Sequence, residues 1–239
     1  MNISNTKLRS KYIENGFVVI KIDEIREQIL YLKKIFENTV HKNFNKNVTR
    51  NRNLIKRFTS APSVMSIFQS LELLNLLKDI ADIKNPVYCG PIVSHYTSND
   101  ETGGGYGLPW HQDYPSMASS KKSVVCWVAM SESGPDTHGL NILSGHHKTG
   151  LLKGDQRDKG YEVHYDRAYD ESQIIPEMRA GDLIIMSSFT PHRTYCNDSY
   201  MGWKLSFSAR FDCLDDEEWE KRDFVNAYNI EVDRQLYLE

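Results

Sequence analysis

The chain has 239 residues, of which 40% are hydrophobic and 26% are charged, a composition typical of a folded globular protein and too apolar for a disordered one. Its 29 Lys and Arg against 32 Asp and Glu give a net charge of −3, which argues against a protein held on nucleic acid by a global basic field. No apolar run approaches the roughly 20 residues of a membrane-spanning helix, and the N-terminus lacks the apolar stretch of a secretion signal. We therefore expect a cytoplasmic protein that binds neither membranes nor nucleic acid.

Four cysteines lie far apart in the sequence, and no two of them form a Cys-x-x-Cys pair. This spacing excludes the common zinc-ribbon and thioredoxin motifs. Scattered free thiols are typical of a reducing compartment, in agreement with a cytoplasmic location. The cysteines stand at positions 89, 126, 196 and 213.

Helical patterns dominate the N-terminal third. Residues 5–15 predict a short helix that leads into a strand at 16–20. Apolar residues three and four apart predict an amphipathic helix over 22–40 and a second helix over 62–83. The intervening residues 41–60 are polar and basic, and we expect a loop there.

From Pro86 onward, short β-rich runs separated by Gly, Pro, Asn and Asp clusters replace the helical pattern. This alternation is typical of a barrel or sandwich. We predict one domain with helical decoration at 1–85, a mainly β core at 86–212 and a helical tail at 213–239, with a helix over Asp215–Tyr228. The expected strands are Val87–Tyr96, Ser123–Met130, Leu140–Leu143, Glu162–Tyr165, Asp182–Met186 and Lys204–Phe211.

A His-x-Asp sequence, His111 and Asp113, is the main candidate for chemistry. Residues two apart on an extended segment point to the same side, so this imidazole and carboxylate can bind one metal ion. His192, which follows a strand-like run starting at Gly181, is the best third ligand. Two His and one carboxylate leave open metal positions for substrate and oxygen, as in non-haem Fe(II) oxygenases. Taken alone, His-x-Asp is also common in surface turns and ion pairs.

Several longer blocks around these residues resemble the phytanoyl-CoA dioxygenase family of Fe(II)/2-oxoglutarate oxygenases, in the same order and spacing. The resemblance implies a double-stranded β-helix core, of the jelly-roll or cupin-like type, with flanking helices. It also implies that His111, Asp113 and His192 hold Fe(II), and that 2-oxoglutarate and O2 are cosubstrates. The blocks are Tyr12–Ile20, Leu108–Pro115, Val125–Met130, Gly139–Gly150, Gly181–Ile185 and Pro191–Thr194.

The reaction implied by the resemblance is hydroxylation of a C–H bond of a small metabolite, with release of succinate and CO2. Halogenating relatives replace the carboxylate ligand by a small residue, so Asp113 favours hydroxylation or a related oxidation. Two alternatives stay open. One is a cupin-like isomerase or hydrolase that uses the same metal ligands. The other is a non-catalytic binding domain, against which the intact ligand set argues.

The position of the 2-oxoglutarate anchor departs from the family. Family members have an Arg-x-Ser pattern on the strand after the second His, whereas this chain has Lys204-Leu205-Ser206. A lysine lacks the bidentate fork of arginine but can still neutralise a buried carboxylate. We favour Lys204, with Ser206 adding a hydroxyl. Arg210, on the same strand face, is the rival, and Thr194 matches a family position whose hydroxyl reaches the cosubstrate.

Other residues carry weaker expectations. Tyr96 and Ser94 precede the His-x-Asp segment and are candidates to line the cosubstrate pocket, although a core position for Tyr96 is equally compatible. Gly103–Gly105 is a candidate lid beside the site. A basic run over 42–57 would recognise an anionic substrate if it lay near the barrel mouth; otherwise it is a solvated loop. Four histidines have no partner at ligand spacing and receive no role: His41, His95, His138 and His164.

Overall fold

The computed structural model describes residues 3–100, 107–117, 120–157 and 160–221. In these residues, five helices lie before residue 82, with one strand between the first two of them, and two short helices come later. None of the helices in the described ranges is long and apolar enough to cross a bilayer. The helices are α1 (Ile3–Asn15), α2 (Asp23–Ile35), α3 (Val48–Thr59), α4 (Pro62–Met65), α5 (Leu71–Ala81), α6 (Tyr114–Met117) and α7 (Glu217–Glu220).

Twelve strands in the described ranges form two antiparallel sheets. The first sheet has the order β1-β10-β5-β12-β2, and β3 also pairs with β12. The second has the order β7-β8-β4-β11-β6-β9. The strands are β1 (Phe17–Lys21), β2 (Pro86–Tyr88), β3 (Val93–Ser98), β4 (His111–Gln112), β5 (Val124–Ala129), β6 (Gly139–Leu143), β7 (Gly154–Arg157), β8 (Gly160–Val163), β9 (Gln173–Ile174), β10 (Asp182–Ser187), β11 (His192–Tyr195) and β12 (Trp203–Cys213).

Alternation along the central strands separates two apolar layers. On β5, Val124, Cys126 and Val128 pack on one side, with residues of α2 and α5. Val125 and Trp127 pack on the other, with residues of β6 and β10 between the two sheets. Because successive strand residues point to opposite faces, the buried strands can serve both layers. The arrangement confirms the predicted double-stranded β-helix core with helices outside.

Strand β12 follows the same alternation and brings polar groups into the barrel. Its odd-numbered residues Leu205, Phe207, Ala209 and Phe211 join the helix-facing layer. The even-numbered residues from 204 to 210 therefore point toward the second sheet, as expected from the period of two. All of them are buried. This strand supplies both cations considered as cosubstrate anchors.

The prediction of a loop over 41–60 is wrong for most of its length. Helix α3 occupies Val48–Thr59, and the Asn47 side chain caps its first turn by accepting a backbone N–H. Ile55 and Phe58 bury the inner face of this helix. The apolar stripe is too narrow to stand out among the basic residues, and packing against the core stabilises a helix that local preference alone does not indicate.

The other expected helices are present with interruptions. Helix α2 continues through a single π-helical turn, Phe36–Val40, so that the predicted span over 22–40 is filled. The span predicted over 62–83 contains α4, a 3-10 turn at Ser66–Gln69 and α5, with Ser70 between the last two. The 3-10 turn and the single residue Ser70 therefore divide the second predicted helix into two.

Strand boundaries differ more. The run Val87–Tyr96 is split into β2 and β3 around Gly90, whose φ is +135°. The strand expected at Glu162–Tyr165 is β8, which ends at Val163. Strands β4, β7, β9 and β11 have two to four residues each, too few to show a pattern. The lid candidate Gly103–Gly105 lies outside the described residues, as does the second half of Asp215–Tyr228, whose described half contains α7.

Candidate active site

The second sheet brings two histidines face to face. Strands β4 and β11 pair with His111 opposite His192, and the two imidazole rings lie 4.1 Å apart between centroids. Asp113 follows β4, and its Oδ2 lies 3.8 Å from Nε2 of His192. One ligand atom from each of the three residues lies within 4.8 Å of the others. The structure thus brings together the three predicted ligands, which stand up to 81 residues apart in the chain.

Backbone carbonyls orient both imidazoles. Nδ1 of His111 lies 2.9 Å from the carbonyl oxygen of Pro109, and Nδ1 of His192 lies 3.0 Å from that of Thr190. A carbonyl can only accept, so each Nδ1 carries the proton and each Nε2 keeps its lone pair. A hydrogen bond from the ring nitrogen that does not bind the metal is typical of metal-binding histidines.

Asp113 is buried and presents one oxygen to the histidines. Its Oδ1 faces Nη2 of Arg210 at 3.4 Å, whereas Oδ2 accepts no hydrogen bond from the described residues. Burial alone would raise the pKa of Asp113, but Arg210 and both histidines outweigh it and hold this pKa well below its usual range. Burial and the neighbouring His111 lower the pKa of His192 to about 4. An anionic carboxylate and a neutral imidazole fit a divalent cation at the orphaned Oδ2.

A small, partly enclosed pocket opens beside these residues. Its walls combine apolar side chains from the layer between the sheets with a few polar and cationic groups, as in many small-molecule sites. Both candidate anchors contribute to the wall. The lining residues are His95, Leu108, His111, Asp113, Val125, Trp127, Leu140, Met186, His192, Thr194, Lys204, Ser208 and Arg210.

The two buried cations stand at different places in this pocket. Nζ of Lys204 lies 3.5 Å from the carbonyl oxygen of Gly139 and 5.5 Å from the centre of the Trp127 ring. Burial lowers the pKa of Lys204 to about 8. The guanidinium of Arg210 instead lies against the carboxylate of Asp113. Arg210 therefore lies beside the candidate metal ligands, whereas Lys204 lies toward the far end of β11.

The predicted hydroxyl groups occupy different environments. Thr194 lines the pocket, and its Oγ1 accepts the backbone N–H of Leu108 at 3.0 Å. Ser206 is fully buried on the inward face of β12, with Oγ 3.5 Å from the carbonyl oxygen of His95. Ser206 is not among the residues that line the pocket. Thr194 is thus positioned to meet a bound molecule directly.

Tyr96 and Ser94, the predicted pocket residues on β3, are not among the residues that line this pocket. In the register of β3 with β12, these residues lie opposite Leu205 and Phe207, which face the helices. The Tyr96 ring packs at 5.4 Å from Phe44 in an edge-on contact. The core position is the one observed. The strand was predicted, but its inward face was shifted by one residue, because only the pairing with β12 defines it.

His95, which received no role from the sequence, points into the pocket instead. Its Nε2 lies 2.9 Å from Oγ of Ser208, and burial, followed by nearby Arg210, lowers its pKa well below the usual value. Ser208 in turn accepts from Nη1 of Arg210 at 2.9 Å. No signal in the sequence alone identifies His95, because only the pairing of β3 with β12 fixes which residues of β3 face the pocket.

A second groove meets the site from the other side of His111. This small groove is lined by Leu108, Pro109, His111, Arg157, Gly160 and Glu162. By contrast, the basic residues of the 42–57 run are exposed on and before α3, and none of them lines either space. His111 is shared by both spaces, so the groove is a direct approach to the candidate metal ligands.

Comparison with known proteins agrees with this geometry. The chain matches the phytanoyl-CoA dioxygenase family over residues 14–201. It is also similar to a methylphosphonate hydroxylase from Gimesia maris, with 29% identity over 100 residues that cover 41% of this chain and 35% of that protein. The match therefore spans about a third of that relative's length.

Two solved structures have a similar fold at low identity. One is SnoN, an epimerase in complex with Fe3+, alpha ketoglutarate and nogalamycin RO, with a TM-score of 0.58, 16% identity and coverage of 88% of this chain and 84% of that one. The other is EctD from S. alaskensis with bound Fe, with a TM-score of 0.63, 11% identity and coverage of 94% and 86%. At these identities the likeness establishes the fold.

Proposed function

Because the chain belongs to the phytanoyl-CoA dioxygenase family, we propose that it is an Fe(II)/2-oxoglutarate-dependent dioxygenase that hydroxylates a C–H bond of a small metabolite. Family membership supports the iron/2-oxoglutarate type of enzyme. The observation that carries the proposal is the buried Oδ2 of Asp113, which accepts no hydrogen bond from the described residues and lies 3.8 Å from Nε2 of His192. Arg210 lies against Oδ1 of this carboxylate, and a metal cation would satisfy Oδ2.

Three residues would hold the metal: His111 and His192 through Nε2, and Asp113 through Oδ2. Iron with 2-oxoglutarate and O2 would supply the oxidation of the substrate, with release of succinate and CO2. The chain's contribution is to orient both imidazoles through the carbonyls of Pro109 and Thr190, so that each ring presents Nε2 to the metal. Three protein ligands would leave further metal positions for the cosubstrate and O2.

Lys204 is the proposed partner of the distal carboxylate of 2-oxoglutarate. Its ammonium lies beside Gly139, which pairs with Tyr195, three residues beyond His192 on β11. At about 3.3 Å per residue, this is roughly 10 Å along the strand from the ligand. A five-carbon diacid that chelates the metal at one end extends in this direction, past Thr194. Arg210, against Asp113, lies beside the chelating end instead.

The apolar walls complete the cosubstrate site. Trp127, Leu140 and Met186 are buried apolar residues of the pocket wall. In such surroundings an unpaired carboxylate is costly, so the single charge of Lys204 is sufficient to select a molecule with a distal acid group. Thr194 adds a hydroxyl on the same side.

We expect the primary substrate to be small and anionic. The groove that shares His111 with the pocket has Arg157 in its wall, although Asp155 pairs with this guanidinium at 2.9 Å. The name of the Gimesia maris relative, a methylphosphonate hydroxylase, supports a small anionic substrate. The basic surface of α3 does not contribute, because its residues lie outside both spaces.

The test is succinate release by the purified, iron-loaded protein. We expect succinate to form from 2-oxoglutarate only when both Fe(II) and O2 are present. Small anionic metabolites would then be screened for stimulation of succinate release. Asp113→Ala is the matched control, because it removes the proposed ligand and should abolish turnover. A cupin-like isomerase or hydrolase, the alternative kept open by Lys204 in place of arginine, would transform its substrate without O2 or succinate.

A further inference from the structure

Four polar side chains, three buried and one half-buried, form a continuous line from His95 in the pocket wall to the candidate metal ligand Asp113. Nε2 of His95 contacts Oγ of Ser208 at 2.9 Å. Nη1 of Arg210 donates to the same hydroxyl oxygen at 2.9 Å, and its Nη2 reaches Oδ1 of Asp113 at 3.4 Å. Asp113, Arg210 and Ser208 are at most 5% exposed. Three of the four side chains come from neighbouring strands of the first sheet, β3 and β12.

We propose that Arg210 is a positioning residue that holds Oδ1 of Asp113 away from the metal, so that the carboxylate binds through Oδ2 alone. The proposal rests on the metal site proposed above. A carboxylate can bind a metal through one oxygen or through both. Bidentate binding would occupy a further coordination position, which the cosubstrate and oxygen need. A charge-assisted contact to Oδ1 opposes this second mode.

The fork of Arg210 explains why arginine stands at this position. One arm contacts Asp113 and the other contacts Ser208, so the planar group is fixed at two points. His95 in turn fixes the Ser208 hydroxyl. A lysine at 210 would keep the charge but offer no second arm in the same plane. The role also separates Arg210 from Lys204, whose ammonium lies beside Gly139.

Electrostatic repulsion alone predicts that Arg210 weakens metal binding, whereas a positioning role predicts that it strengthens metal binding. A cation beside the site repels a divalent ion, so its removal should strengthen metal binding if charge were all that mattered. Loss of a positioning contact should weaken binding, typically by 10- to 100-fold for groups that orient a metal ligand. The sign of the change therefore distinguishes a positioning role from that of a mere neighbouring charge.

The experiment is a titration of the purified full chain with Co(II), whose visible absorption reports the number and arrangement of its ligands. We expect Arg210→Met to raise the Kd for Co(II) by at least about tenfold and to change the absorption envelope. Arg210→Lys should recover part of the affinity. Ser208→Ala should change the spectrum in the same direction by a smaller amount. Because Ser208→Ala keeps the buried cation, it provides the test if Arg210→Met does not fold.

Two further variants distinguish a failure of the positioning role from a failure of the cosubstrate assignment or of the metal site. Lys204→Met should weaken 2-oxoglutarate binding while the Co(II) affinity stays at the wild-type value. Unchanged or tighter Co(II) binding in folded Arg210→Met, with an unchanged spectrum, would overturn the positioning role, as would loss of 2-oxoglutarate binding alone. If Asp113→Ala binds Co(II) as tightly as the wild type, the metal site itself is wrong, and the positioning role is overturned with it.

Discussion

Replacing Lys204 by methionine tests the cosubstrate assignment, because it removes the charge and nearly conserves the length of the side chain. Lys204 is 2% exposed. A distal carboxylate bound there in the variant would be buried without its cation. Breaking a buried charge pair in this way costs about 3–5 kcal/mol, which corresponds to more than a hundredfold loss of affinity. The assay is a calorimetric titration of 2-oxoglutarate into the anaerobic, metal-loaded protein.

The pH dependence of the same titration adds a second signature. Burial lowers the pKa of Lys204 to about 8, so the free protein carries a charged amine below pH 8 and loses it above. A bound carboxylate raises this pKa, because it favours the charged form. The affinity for 2-oxoglutarate should therefore be constant below pH 8 and fall above it, by up to tenfold per pH unit. Lys204→Arg, charged throughout, should show a flat profile.

Two results would refute this reasoning. One is an affinity for 2-oxoglutarate in Lys204→Met equal to that of the wild type, together with its loss in Arg210→Met; this would place the distal carboxylate beside Asp113. The other is a wild-type affinity that does not change between pH 7 and pH 9.5. Either outcome would mean that the ammonium beside Gly139 does not meet the cosubstrate.

Three further predictions follow from the packing. Tyr96→Phe should leave 2-oxoglutarate affinity unchanged in the same titration, because this ring faces the helices. A large loss of affinity would show that Tyr96 contacts the cosubstrate. Phe36→Ala should lower the free energy of unfolding by about 3–5 kcal/mol in chemical denaturation, since this ring is fully buried between α2 and the first sheet; a loss below 1 kcal/mol would contradict the assigned core. Lys56→Gln, on the exposed face of α3, should leave kcat and KM for the primary substrate unchanged, and a raised KM would show that this helix contributes to substrate binding.

Local patterns predicted the features that depend on short stretches of sequence. His111 and Asp113 stand two residues apart on one face, and the strand before His192 is strongly apolar, so the candidate ligands could be named without a structure. The family resemblance then supplied the β core, which the two sheets confirm. Helix α2 was equally visible, because its apolar residues repeat every three or four positions.

Features that depend on pairing between distant strands could not be predicted. The contact between Arg210 and Asp113 joins residues 97 apart, and no pattern in either segment indicates it. A shift of one residue along β3 exchanges the faces to which His95 and Tyr96 point. Only the register of β3 with β12 decides which of the two faces the pocket. Helix α3 likewise depends on the burial of Ile55 and Phe58, which is a property of the packed core.

The most direct test of the proposed function is a crystal structure of the protein grown without oxygen in the presence of Fe(II) and 2-oxoglutarate. We expect one iron bound by Nε2 of His111, Nε2 of His192 and a single oxygen of Asp113, chelated by 2-oxoglutarate whose distal carboxylate contacts Lys204. Iron bound elsewhere, or 2-oxoglutarate absent from this pocket in iron-loaded crystals, would contradict the assignment of the chain as a 2-oxoglutarate-dependent oxygenase.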